Sequence, residues 1–124
     1  MSTDNHISNA AMVTLGQIAM ARSGDKGNHA NLGVVAFNDA GYQFLRDHLS
    51  ADRVRQFFAS LGSEKVVRYE LPRVNALNFF LYDVLAGGAS RSLRIDTQGK
   101  LLGTAALEIT FPAPDNLDEL VQRE

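Results

Sequence analysis

Cysteine and tryptophan are absent from this chain of 124 residues, proline occurs three times, and basic residues do not outnumber acidic ones. Each absence closes off a class of chemistry. Without cysteine there is no disulfide, no thiolate metal site and no cysteine nucleophile. Lys and Arg total 12 against 14 Asp and Glu, a net charge of -2. The basic face that nucleic acid or an anionic membrane surface requires is therefore missing, and neither is expected as a partner. No apolar run nears the roughly 20 residues of a membrane span. Residues 1–11 are polar and lack the basic-then-apolar pattern of a signal peptide, so the expected compartment is the cytoplasm. Only three histidines occur, and none has a second at ligand spacing. His29 with Asp25 does not make a metal site, and no cofactor can be named from these residues.

What is present suits one domain spanning 1–124, long enough to bury a sizeable core without staples. A loose N-terminal tail covers 1–11. Val13 to Met20 reads as a strand covered on both faces, with Gly16 marking a bulge or a close approach. Leu32 to Phe37 is almost unbroken apolar and suits a central strand. Asn38-Asp39-Ala40-Gly41 then opens a helix in which Tyr42, Leu45 and Leu49 share a face. Ser50 is an N-cap, with Asp52 in the first turn, for a second helix. Its stripe is Val54, Phe57, Phe58 and Leu61, and Gly62 stops it.

Val67, Tyr69 and Leu71 alternate with Arg68 and Glu70, which predicts a half-buried strand closed by Pro72. Asn75 is placed to cap a helix over 77–85, with Leu77, Leu81, Val84 and Leu85 as its stripe, Phe79 and Phe80 flanking it, and Gly87-Gly88 ending it. Leu93 and Ile95 predict a short strand and Asp96-Thr97-Gln98-Gly99 a turn. A last strand is expected through Ala105, Leu107, Ile109 and Phe111, broken off by Pro112 and Pro114. Residues 113–124 form a tail in which Leu117, Leu120 and Val121 fall at helical spacing. Strands and helices mixed in this order favour an α+β sandwich, with helices on one face of a mostly antiparallel sheet, ferredoxin-like in arrangement.

The densest chemistry lies in Arg22-Ser23-Gly24-Asp25-Lys26-Gly27-Asn28-His29-Ala30-Asn31, expected as a loop at a sheet end. Gly24 and Gly27 can bare their N–H groups, and Arg22 and Lys26 place positive charge beside them, the makings of an anion site. Asp25 and His29 are the candidates for proton transfer, Asp25 only with a raised pKa. The same residues also make a well-capped turn in which Asp25, Asn28 and Asn31 bond their own backbone. The spacing fits neither a Walker loop nor a dinucleotide fingerprint. Asn78 needs a polar partner if buried. Gly87 to Ser92 forms a second glycine-rich loop, whose Arg91 could add a bidentate contact to a carboxylate or phosphate. Ser23, Ser90 and Ser92 lack the surroundings of a serine nucleophile.

The string Ala21-Arg22-Ser23-Gly24-Asp25-Lys26-Gly27-Asn28, with Asn31 and Gly33, resembles the opening of the small domain of acyclic terpene utilisation (AtuA-type) proteins. Arg68-Tyr69-Glu70-Leu71-Pro72, Leu77-Asn78-Phe79, Gly87-Gly88, Leu93-Arg94 and Asp96-Thr97-Gln98-Gly99-Lys100 are similar in kind and order, so the likeness runs from about Val13 to Pro112. It implies a ferredoxin-like fold, here as a stand-alone polypeptide. It also implies a link to catabolism of acyclic terpenoids and acyl-CoA thioesters, and a larger AtuA-type subunit as partner. A CoA thioester or a carboxylate is the implied ligand. Arg22, Ser23, Gly24, Asp25, Lys26, Gly27, Asn28 and Asn78 stand at motif positions of that family. Three roles are open on these grounds: an enzyme subunit lending the Arg22–Asn31 segment to a shared site, a non-catalytic oligomerisation module, or a free-standing binder of a small anionic metabolite. The apolar excess expected on the 77–85 helix and at Leu117, Leu120 and Val121 predicts self-association.

Overall fold

A computed structural model of the chain describes residues 11–62, 64–83 and 100–121. Their order is β1 (Met12–Thr14), α1 (Leu15–Ile18), β2 (Ala19–Lys26), β3 (His29–Ala36), α2 (Asp39–His48), α3 (Ala51–Phe57), β4 (Val66–Leu71), β5 (Ala76–Leu81), α4 (Lys100–Ala106), β6 (Thr110–Pro112) and α5 (Leu117–Leu120). Short 3-10 turns follow α3 and β4. The main sheet has the order β2-β3-β5-β4 with every neighbour antiparallel. The run β3-α2-α3-β4-β5 is a split β-α-β unit, since β5 enters between β3 and β4. The place beside β3 is taken by β2, which precedes the unit in the chain, and α4 packs against it. This is the expected α+β, ferredoxin-like sandwich.

The described helices lie on one face, and the pleat of the strands shows which. Ala30, Leu32, Val34 and Ala36 of β3 are buried, as are Leu77, Phe79 and Leu81 of β5. Register sets Leu32 against Phe79 and Val34 against Leu77, so these residues share the helix-covered face. Leu45 of α2, Val54 of α3, Leu102 and Ala106 of α4 and Leu120 of α5 complete the core. Capping follows the sequence: Ser50 Oγ accepts from the Arg53 amide at 3.0 Å, and Asn38 Oδ1 from the Gly41 amide at 2.8 Å. Gly62 stops the turn after α3 with φ 94. Arg68 reaches across from β4 and donates to the carbonyls of Arg46 and Leu49 at 2.9 Å each, where α2 runs out of its own partners.

Several expected elements differ. Residues 13–20 are a short strand, one turn of helix and the start of β2 rather than a single strand. Thr14 and Gln17 form a capping box that breaks the strand, a local signal that the apolar composition hides. Gly16 is the expected close approach, because a Cβ there would lie 3.3 Å from Leu107 Cβ. Residues 76–81 form β5, not a helix, and Asn75 is a left-handed turn residue (φ 56) rather than a helix cap. Leu77, Phe79 and Leu81 alternate at period two, and a pattern apolar on both sides conceals that alternation behind a helical stripe. Residues 100–106 are α4, where a strand through Ala105 and Leu107 was expected, and only Thr110–Pro112 is strand. β6 pairs with β1, so residues near the two ends of the domain are clasped together. Phe57 is exposed while Val54 and Phe58 are buried, since α3 ends at Phe57. The expectations for Gly87-Gly88, Leu93, Ile95 and Asp96 to Gly99 lie outside the described residues.

The largest correction concerns β4. Val67, Tyr69 and Leu71 do alternate with charged residues, but they point away from the core. Tyr69 is 52% exposed and Leu71 46%. Register places Arg68 opposite the buried Phe79, and Tyr69 opposite Asn78 on the other face. In the C-terminal segment, Leu120 is fully buried in the chain's own core, with Leu117 and Val121 packed against it. These three therefore do not contribute the surplus apolar surface expected of them. If the faces are as described, Phe79→Ala costs about 3–5 kcal/mol through the lost contacts and the cavity. Tyr69→Ala stays within about 0.5 kcal/mol, as an exposed substitution does. Urea denaturation of both variants checks the assignment.

Candidate functional site

The face of the sheet that no helix of the described residues covers carries the candidate site. Cross-strand register arranges it in rows. One row runs Met20, Val35, Ala76 and Leu71, the next Arg22, Gly33, Asn78 and Tyr69, and the third Gly24, Asn31, Phe80 and Val67. The first row is an apolar band, with Met20 55% exposed. The other two mix one guanidinium, two carboxamides, two aromatic rings, one valine and two positions with no side chain. Asn31 Nδ2 donates to Asn78 Oδ1 at 2.6 Å, a bond between residues 47 apart in the chain. That is the partner Asn78 required. Both Nδ2 hydrogens of Asn78, and one hydrogen and the acceptor of Asn31, remain for other groups. Arg22 is exposed and has no ion pair among the described residues.

The two missing side chains shape the surface. A Cβ built on Gly24 would meet only Asn31 Oδ1, at 3.7 Å. One built on Gly33 would meet the Arg22 carbonyl at 3.7 Å and Asn78 Oδ1 at 3.9 Å. Neither approach is tight, so packing among the described residues demands glycine at neither position. Glycine in a strand interior gives up conformational entropy and packing, and it often marks where a ligand or another backbone comes close. A groove of about 430 Å³ lies here, lined by Met20, Ala21, Arg22, Gly33 and Val35.

The expected site residues divide between several places. Arg22, Gly24, Asn31 and Asn78 are brought together on the open face. Ser23 is not: its Oγ accepts the Gly103 amide of α4 at 2.8 Å, on the helix-covered side. The expected loop is a β-hairpin whose strands extend to Lys26 and from His29, with Gly27 and Asn28 alone as its turn. Gly27 has φ 64, the left-handed value that the first residue of a two-residue hairpin takes from glycine. Gly24 lies in extended strand, so it does not share a nest of consecutive amides with Gly27. Register sets Lys26 opposite His29 and Asp25 opposite Ala30. Arg91 lies outside the described residues.

His29 has partners of its own at the hairpin end. Its Nδ1 accepts the Asp83 amide at 2.9 Å, and the Asp83 carboxylate stands 3.6 Å away. The ring packs against Phe80 and Tyr82, each with centroids 5.4 Å distant, and Lys65 lies over the Tyr82 ring. Among the described residues no three His, Asp or Glu side chains gather where they could hold a metal. No helix among them is long and apolar enough to cross a membrane.

Sequence reasoning missed Gly33, Tyr69 and Phe80 as parts of this face. An isolated glycine inside the apolar run 32–37 was the available signal for Gly33. Tyr69 and Phe80 gave none, since their faces depend on register between strands distant in sequence. The vacancy at Gly24 and the contact at Gly103 make opposite predictions. A Cβ at Gly103 would lie 3.2 Å from the Ser23 amide nitrogen. Gly103→Val is expected to lower stability by about 1–3 kcal/mol through overpacking. Gly24→Ala leaves stability unchanged or raises it by up to about 1 kcal/mol. Thermal denaturation of the pair checks both.

The family model described as the AtuA ferredoxin-like domain matches residues 13–112. Comparison with curated proteins gives no significant match, and comparison with solved structures gives none either.

Proposed function

This chain belongs to the AtuA ferredoxin-like domain family, and from that premise we propose that it is the small, partner-docking component of an acyl-processing protein. The open sheet face is the docking surface, and the Arg22–Asn31 hairpin contributes an anion-binding part to a site completed by a larger AtuA-type subunit. The anion is a carboxylate or a CoA thioester of acyclic terpenoid or related acyl catabolism, the context the family resemblance implies. Arg22, Lys26 and Asn78 bind it, and Asp25 and His29 are the groups available for proton transfer. One observation carries the reading. The same face holds a cation with no ion pair among the described residues, a pair of carboxamides and two glycines that no described neighbour requires, beside exposed apolar side chains.

A face of four short strands is about 20 Å on a side from strand spacing and rise, roughly 400 Å². A stable specific interface buries about 800 Å² on each partner. This favours a partner larger than the face, one that also reaches the ridge beyond β4, where Leu71 and Val74 are exposed.

The test is reconstitution with the larger subunit. Leu71→Glu and Val74→Glu are expected to abolish co-purification and turnover while leaving thermal stability essentially unchanged, because both side chains are already in solvent. Arg22→Ala and Lys26→Ala should retain docking and lower kcat/KM by about 10- to 100-fold, the loss of one charge-assisted hydrogen bond. Full turnover with both cations removed and docking intact would instead identify a purely structural module.

A further inference from the structure

We propose that the vacancy above Gly33 is the seat of an aliphatic carboxylate, its head held between Arg22 and Asn78 and its stem lying along Met20 and Val35. This deepens the reading of the hairpin as the anion-binding part of a shared site, and rests on it, by naming the class of anion and the atoms that take it.

The geometry follows from register. Gly33 has Arg22 opposite it on β2 and Asn78 opposite it on β5, so the three form one row across the sheet. Neighbouring strands lie about 4.8 Å apart, which leaves a gap of about 10 Å between the outer two backbones with nothing rising from the middle one. A planar carboxylate fits that gap with donors on both sides. Arg22 supplies a fork matched to two carboxylate oxygens, and it has no competing ion pair among the described residues. Asn78 has its Oδ1 occupied by Asn31, which orients the carboxamide and leaves its Nδ2 hydrogens as donors.

The next row decides between classes of anion. Val35 and Met20 sit beside Gly33 and Arg22 in the same groove, and Ala76 continues the apolar row on β5. A free phosphate would meet one guanidinium and then an apolar wall that offers it nothing. An aliphatic acid uses both halves, the charge on Arg22 and the stem on Met20 and Val35. The groove is open on its outer side, so a docked partner would close it over the ligand.

Gly33 makes the site separable from the fold. A Cβ there meets no atom of the described residues closer than 3.7 Å, and valine is a better strand residue than glycine. Gly33→Val should therefore hold or raise the melting temperature while filling the seat. The experiment is titration of the full chain with octanoate, followed by ¹H–¹⁵N correlation spectra, with 1-octanol and inorganic phosphate as comparison probes. Octanoate is expected to shift the amides of Arg22, Gly33, Val35 and Asn78. Binding should weaken at least tenfold in Arg22→Ala and Gly33→Val, and 1-octanol and phosphate should not reproduce the shifts. The proposal is overturned if octanoate fails to bind the parent chain, if Gly33→Val binds as well as the parent, or if phosphate moves the same amides as strongly. Loss of the larger subunit by Gly33→Val without any octanoate binding would assign the vacancy to a close backbone contact with that subunit, and would also overturn it. Leu71→Glu, outside the groove, keeps the two readings apart: it should lose docking while octanoate binding persists.

Discussion

The central strand β3 pairs on both sides, with β2 and with β5, and its strict alternation settles what the whole sheet can do. Ala30, Leu32, Val34 and Ala36 enter the core, and His29, Asn31, Gly33 and Val35 are left on the other side. Because side chains repeat every two residues, a slip of one position would carry Leu32 and Val34 into solvent and bury Asn31. The core therefore locks the register, and the register assembles the open face. The Asn31–Asn78 bond and the Gly33 vacancy between Arg22 and Asn78 are consequences of packing on the opposite side.

The helix-covered side is built conventionally, with caps where the sequence places them and apolar stripes against the strands. On it Arg68 satisfies the last carbonyls of α2 and pairs with Glu70 at 2.7 Å. That arrangement ties the edge strand β4 to the helical layer and fixes which way Tyr69 and Leu71 face. Ser23 does the same for β2 through the Gly103 amide, and Gly103 lets α4 approach closely enough to form that bond. Both edges of the sheet are thus anchored from the helix-covered side.

Glycine separates the two sides clearly. Gly103, Gly16 and Gly41 stand where a Cβ would come within 3.2–3.3 Å of another part of the chain, and they are there for packing. Gly24 and Gly33 are under no such constraint. They lie on neighbouring strands, β2 and β3, and on the proposed reading they keep space for a ligand, as local departures from good strand chemistry do at functional sites.

The sequence by itself determined the fold class, the family and the caps at Asn38, Ser50 and Gly62. All of these rest on neighbours within a few residues, or on a motif string read directly. It could not separate strand from helix at 76–81, because Leu77, Phe79, Phe80 and Leu81 satisfy both periods and only pairing with β3 and β4 breaks the tie. Nor could it show that Tyr69 and Leu71 face outward, since alternation reveals that two faces differ and not which one a helical layer will cover. Asn31 and Asn78 were each visible as polar residues, but their bond and the empty place beside Arg22 exist only once three strands are in register. Local chemistry is written along the chain; which residues share a face is decided by the packing that the core enforces.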